Sequence, residues 1–144
     1  MALSGERGEI IELLKLFDPN IEGIEILSFD GRSSAPYLKH KNMGFTPTSV
    51  FGDGIRKALT LATAIVRAEN GILLIDEIET SIHYSILNKL FTWLVNACKQ
   101  YKVQIFAATH SLEAVDAILE VNDQIMSEMV VYRFVGADDL YRGW

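Results

Sequence analysis

The sequence predicts an α/β protein, a mostly parallel sheet flanked by helices and preceded by an N-terminal β-hairpin. Three observations carry this. Two short apolar runs, 72–75 and 103–107, bracket a long stretch of helical periodicity. That strand–helix–strand order closes a parallel sheet through a crossover. Upstream, an apolar run at 24–29 and the alternating "YLKHK" flank the turn-rich "DGRSSAP", the pattern of a hairpin. Finally, 49% of the 144 residues are apolar and 22% charged, which suits one ordered globular domain over 1–144.

Each element has its own warrant. Residues 6–17 place Ile10, Ile11, Leu13, Leu14 and Phe17 at helical spacing. "DPN" ends that helix, because proline disfavours helical geometry in the residue before it. The glycine- and proline-bearing "MGFTPTSVFGDG" reads as a loop. A helix follows over 55–67. Residues 72–75 are wholly apolar, as expected of a strand covered on both faces. A long helix over 81–99 carries Ile82, Ile86, Leu87, Leu90, Phe91, Leu94 and Cys98 on one side. Ser111 caps a further helix to about 120, 129–135 reads as a last strand, and the polar-aromatic end folds back as a hairpin. His40 alternates with lysines and reads as exposed, Cys98 as core.

The net charge of −6 and pI near 5.0 argue against broad electrostatic binding of nucleic acid or anionic membrane. A single cysteine excludes an internal disulfide and suggests a reducing compartment. The N-terminus meets charge before any apolar stretch, so no signal peptide is expected. No apolar run approaches the roughly 20 residues a membrane span needs. A cytoplasmic location is the expectation.

Four stretches carry chemistry. "LLIDE" ends an apolar strand at Asp76 and Glu77. One carboxylate there can hold Mg²⁺ through its water shell while its neighbour orients or deprotonates a water, typically worth about 10²- to 10⁴-fold in rate. "IFAATHS" delivers His110 at the end of the next strand, where an imidazole can contact a terminal phosphate. "SVFGDGIRKAL" places Gly52 and Gly54 at a helix start, where backbone N–H groups bind anions. "ETSIHYS", with His83, lies just beyond the acids. Each alone also reads as an ordinary strand end or loop-to-helix turn.

In this order the four stretches resemble the C-terminal half of an ABC-type P-loop ATPase head, of the AAA/OLD-like and RecF/SMC-like kind. The resemblance covers about residues 6–135. It implies that "LLIDE" is the Walker B strand, "SVFGDGIRK" a variant signature motif, "ETSIHYS" the D-loop and "ATHS" the switch-histidine loop. By that resemblance Asp76 is the Mg²⁺ carboxylate, Glu77 the catalytic base and His110 the γ-phosphate sensor. Ser49, Gly52, Asp53 and Gly54 act in trans on ATP held by a partner. The signature departs from the family in lacking a Ser-Gly-Gly core, and the D-loop has Tyr84 where proline is common.

A P-loop requires G-x-x-x-x-G-K-S/T, since its amides and lysine neutralise the phosphates. None of the lysines, at 15, 39, 41, 57, 89, 99 and 102, follows a glycine. The resemblance therefore implies an ATPase half-domain that needs a Walker A lobe from elsewhere, with weak or absent ATP binding alone. A truncation, a split gene and a remnant remain open. Self-association or strand exchange is expected in place of the missing lobe, and nucleic acid as partner is unsupported by charge. The rival readings are an inactive dimerisation or regulatory module of the same fold and, more weakly, a Mg²⁺-dependent nuclease using Asp76 and Glu77.

Overall fold

A computed structural model describes residues 3–28, 31, 33–121 and 129–134. Helix α1 (Leu3–Lys15) leads into β1 (Ile21–Leu27), β2 (Ala35–His40) and β3 (Gly44–Pro47), then a 3-10 turn (Thr48–Val50) and α2 (Asp53–Arg67). Strand β4 (Ile72–Ile75), α3 (Tyr84–Tyr101), β5 (Gln104–Ala107) and α4 (Leu112–Leu119) complete the described elements. The expected α/β character and the hairpin are present.

The sheet layout differs from expectation. Strands β1, β2 and β3 form an antiparallel meander, and only β4 and β5 pair in parallel. A mostly parallel sheet is therefore not what the described residues build. The expected loop over 43–54 contains β3, in which Tyr37, Leu38, Lys39 and His40 find partners from Pro47 back to Gly44. Its proline sits at the free edge of the meander, where a missing N–H costs no ladder bond. Residues 129–134 form no strand, and Val130, Tyr132 and Phe134 are exposed. Val135 and the expected hairpin beyond it lie outside the described residues.

Two apolar clusters hold these elements. Leu13 and Leu14 of α1, Ile21 of β1, Leu38 of β2 and Ile55, Ala58, Leu61 and Ala62 of α2 make the first. Leu87, Phe91, Leu94 and Ala97 of α3 pack with Ala114 and Ala117 of α4 in the second. Ile75, Ile82 and Trp93 touch both, and the Trp93 indole donates to the carbonyl of Glu9 at 3.2 Å, pinning α3 to α1. Burying an aromatic or aliphatic side chain of this kind stabilises by about 1.5–3 kcal/mol.

His40 corrects another expectation. It is 6% exposed. Its Nδ1 accepts from the backbone N–H groups of Asn42 and Met43, both at 3.2 Å. The other nitrogen, Nε2, therefore carries the hydrogen and donates to Asp18 at 3.2 Å. The ring clamps the β2–β3 turn to the end of α1, which an alternating strand pattern does not reveal.

Strand β4 is covered on one face, not two. Leu73, Ile75 and Ile105 pack on the second cluster. On the opposite face Ile72, Leu74 and Phe106 are 61%, 75% and 54% exposed. The apolar run is thus the residue pattern of a fully covered strand whose second face is bare among the described residues.

Candidate functional site

The site forms where β4 and β5 end side by side. Ile75 pairs with Ala107, and the ladder runs on as Ala108 N–H donates to the Ile75 carbonyl at 2.8 Å and Ile78 N–H to the Ala108 carbonyl at 3.3 Å. Asp76 leaves the end of β4 exposed, and His110 follows β5 exposed. The parallel register brings these two to one end of the sheet, as the sequence indicates.

Backbone geometry after β4 is unusual. Glu77 has φ +47° and Ser81 φ +68°, left-handed conformations that cost side-chain-bearing residues on the order of 1 kcal/mol. The turn is held by what it touches. Ile78 is buried and anchors it. The Glu77 carbonyl accepts from Thr80 N–H at 3.0 Å and from the Lys57 ammonium at 3.2 Å, and the Glu77 carboxylate accepts from the Thr80 hydroxyl at 3.0 Å. Lys57 thus ties the start of α2 to the acidic turn.

The glycines of that helix start differ. A Cβ on Gly54 would lie 3.1 Å from the Phe17 ring and 3.1 Å from the Ser81 carbonyl, so this position is closed by the chain itself. A Cβ on Gly52, the N-cap of α2 at φ −64°, would meet nothing. Asp53 pairs with Arg56 one turn on, and Ser49 is exposed in the 3-10 turn. The α3 helix begins at Tyr84 rather than at 81, because the left-handed Ser81 cannot open a helix and His83 Nδ1 accepts from Ser85 N–H as its cap. His83 is thereby committed to structure.

Sequence reasoning missed Glu79, Thr109 and Lys57. Burial by itself would raise the Glu79 pKa, but hydrogen bonds from the Thr109 hydroxyl and from the N–H groups of Glu79, His110 and Ser111 outweigh it and hold the carboxyl below its ordinary range. Thr109 in turn accepts from Ser111 N–H at 3.0 Å, and Ser111 caps α4 by accepting from Ala114 N–H at 3.2 Å. The polar run "ATHS" was the available signal.

A shallow groove of about 390 Å³ runs from the bare sheet face up to Asp76, lined by Leu74, Ile75, Asp76, Phe106, Ala107 and Ala108. A second, of about 370 Å³ between α3 and α4, carries Glu113, Asp116 and Glu120, a sign that repels phosphate. Among the described residues no three acids, histidines or cysteines cluster as a metal site. One exposed carboxylate suits Mg²⁺, which keeps most of its ligands as water and substrate phosphate, and does not build a cage of its own.

A parallel strand pair that presents an Asp-Glu turn and a histidine loop at one end is in keeping with a P-loop-type ATPase domain, the class that the comparisons support. The chain belongs to the family described as "AAA domain, putative AbiEii toxin, Type IV TA system", whose model matches residues 4–116. It is similar to an "ATP/GTP phosphatase" of Helicobacter pylori, 34% identical over 124 residues, covering 83% of this chain and 31% of that protein. It is also similar to "Uncharacterized protein MJECL11" of Methanocaldococcus jannaschii, 41% identical over 69 residues, covering 48% of this chain and 60% of that one. The chain therefore spans about a third of the first relative's length. A solved SMC head bound to the C-winged helix domain of ScpA superposes with a TM-score of 0.57 over 78% of this chain and 36% of that one, at 11% identity, a likeness of fold. No helix among the described residues is long and apolar enough to cross a membrane.

Proposed function

We propose that this chain is the half of an ATPase head that supplies the hydrolytic carboxylates, and that it turns over ATP only when joined by a lobe carrying the phosphate-binding loop. The single observation behind this is the meeting of two incomplete features. The bare apolar face of β4 and β5 leads through one groove to Asp76, while the sequence holds no Gly-Lys pair to cradle phosphates. A lobe that covers the face would place its phosphate loop beside the acid. In that assembly Asp76 would hold Mg²⁺, which would supply positive charge to the phosphates, Glu77 would serve as the base and His110 would meet the γ-phosphate.

Gly52 supports a role in trans for the helix start. Nothing among the described residues requires its missing side chain, whereas backbone close to a phosphate does. Ser49 and the N–H groups of Asp53 and Gly54 complete that surface, and the Asp53 carboxylate is neutralised by Arg56. The same bare face drives self-association when the lobe is absent. A structural neighbour is an SMC head bound to a protein partner, in keeping with a head that works in an assembly.

Isothermal calorimetry of the chain with Mg-ATP tests the half-site. Binding weaker than about 1 mM is expected, because the lysine and amide contacts that dominate phosphate affinity are missing. Micromolar binding to the chain alone would refute it.

A further inference from the structure

Helices α3 and α4 each start on a side-chain cap, supplied by His83 and by Ser111. Helix α2 does not. Gly52 is its N-cap and offers no side chain to accept from the first turn, so the aim of this start depends on what lies beneath it. Two aromatic residues bear on it. Phe51, which is buried, directly precedes Gly52. The Phe17 ring stands 3.1 Å from where a Cβ on Gly54 would lie. Both lead to one pair of polar side chains. Asp18 follows Phe17, and its carboxylate accepts from His40 Nε2–H at 3.2 Å. The His40 and Phe51 ring centroids are 6.2 Å apart, tilted by 50°.

We infer that His40 is a positioning residue that seats the uncapped start of α2 through Asp18 and Phe51. The purpose of the seat rests on the proposed function, which closes this helix start over a partner's nucleotide; the seat itself rests on the contacts. At 6% exposure His40 is too deep to touch a nucleotide, and it acts through what it holds. The pair is fixed from both sides. The second oxygen of Asp18 accepts from the backbone N–H and the side-chain amide of Asn20, at 3.0 and 3.2 Å. His40 Nδ1 accepts from the N–H groups of Asn42 and Met43, each at 3.2 Å. One ring therefore joins the β2–β3 turn, the end of α1 and the residue before Gly52. An imidazole can accept at one nitrogen and donate at the other, and no other side chain offers both at this spacing. Asparagine reproduces the near nitrogen and glutamine the far one, so the two roles can be separated.

Amide hydrogen exchange, measured by NMR on the intact chain without nucleotide, tests the seat. The reporter is the Arg56 N–H, which closes the first turn of α2 on the Gly52 carbonyl at 3.4 Å. The control is the Ile86 N–H, which closes the start of α3 on the His83 carbonyl at 2.9 Å. His40→Asn keeps an acceptor for the turn and loses the reach to Asp18. It is expected to speed exchange at Arg56 by about 10-fold, with Ile86 unchanged. His40→Gln keeps the reach to Asp18 and gives up the turn. It is expected to hold Arg56 within about threefold of the wild type, while Met43 exchanges faster. A histidine that served only the turn would leave Arg56 at its wild-type rate in His40→Asn. That result, or faster exchange at Arg56 and Ile86 alike in both variants, would overturn the seat. Should His40→Asn fail to fold, Asp18→Asn decides at the same amides with the same expectation, since it leaves one acceptor oxygen where two are in use. In a head completed by a phosphate-binding lobe, His40→Asn is expected to lower kcat by on the order of 10-fold with KM for ATP held, because the lobe carries the nucleotide. Faster exchange at Arg56 beside an unchanged kcat would keep the seat and overturn its purpose in trans. Micromolar ATP binding by the chain alone would sink the half-site reading without touching the exchange result.

Discussion

Replacing Leu74 and Phe106 together by threonine removes most of the bare face of the parallel pair while keeping strand propensity. The magnitude follows from exposure. Full burial of such a side chain is worth about 2 kcal/mol. With 75% of Leu74 and 54% of Phe106 open to solvent, a covering partner gains roughly 1.5 and 1 kcal/mol from them. The threonine methyls return a few tenths each, so the double variant forfeits about 2 kcal/mol of association. At about 1.4 kcal/mol per decade, that is about 30-fold in the dissociation constant. A symmetric dimer that uses the face on both copies loses more. Folding stability should move by less than about 0.5 kcal/mol, because neither side chain is in the core. Sedimentation velocity over a concentration series, with thermal unfolding as control, reads both quantities. An unchanged association constant beside an unchanged melting temperature would refute the claim that this face drives contact.

Three further outcomes follow from the same structure. Gly54→Ala should destabilise by about 1–3 kcal/mol, because its Cβ would press on Phe17 and on the Ser81 carbonyl, whereas Gly52→Ala should leave chemical denaturation unchanged. Cys98, whose thiol burial pushes up to about 11, should resist alkylation at pH 8 in the native chain and react fully in urea. Asp18 is held below its ordinary value by the backbone N–H of Asn20 above all, against partial burial, with help from the Asn20 side chain and His40. Its contribution is therefore fully present above the unfolded value of about 3.9 and is lost as pH falls through the lower folded value. Asp18→Asn should cost about 1 kcal/mol at pH 6 and progressively less toward pH 2.5, measured by urea titration.

Local pattern was enough for α2, β4, α3 and β5, since each pairs a strong period with clear punctuation. Where it failed, the residues depend on partners that local pattern does not show. His40 looks exposed beside its lysines until Asp18, 22 positions upstream, supplies a half-buried acceptor. Strand β3 is short and flanked by glycine and proline, so only its pairing with β2 creates it. The run 72–75 looks covered on both faces because all four residues are apolar, whereas the described residues cover only the Leu73 and Ile75 face. At the site, the placement of Asp76 and His110 was legible from strand order. Lys57 and Glu79 were not, because a lysine on a helix and an acid in a turn look solvated until the folded chain brings a carbonyl or a threonine to them.

The most direct measurement is single-turnover ATP hydrolysis by this chain mixed with a polypeptide that carries the phosphate-binding lobe of a full-length relative. Turnover should appear only in the mixture, and Glu77→Gln should abolish it while ATP stays bound. Hydrolysis by the chain alone, or full activity in the Glu77→Gln mixture, would contradict the assignment of this chain as the carboxylate half of a divided ATPase head.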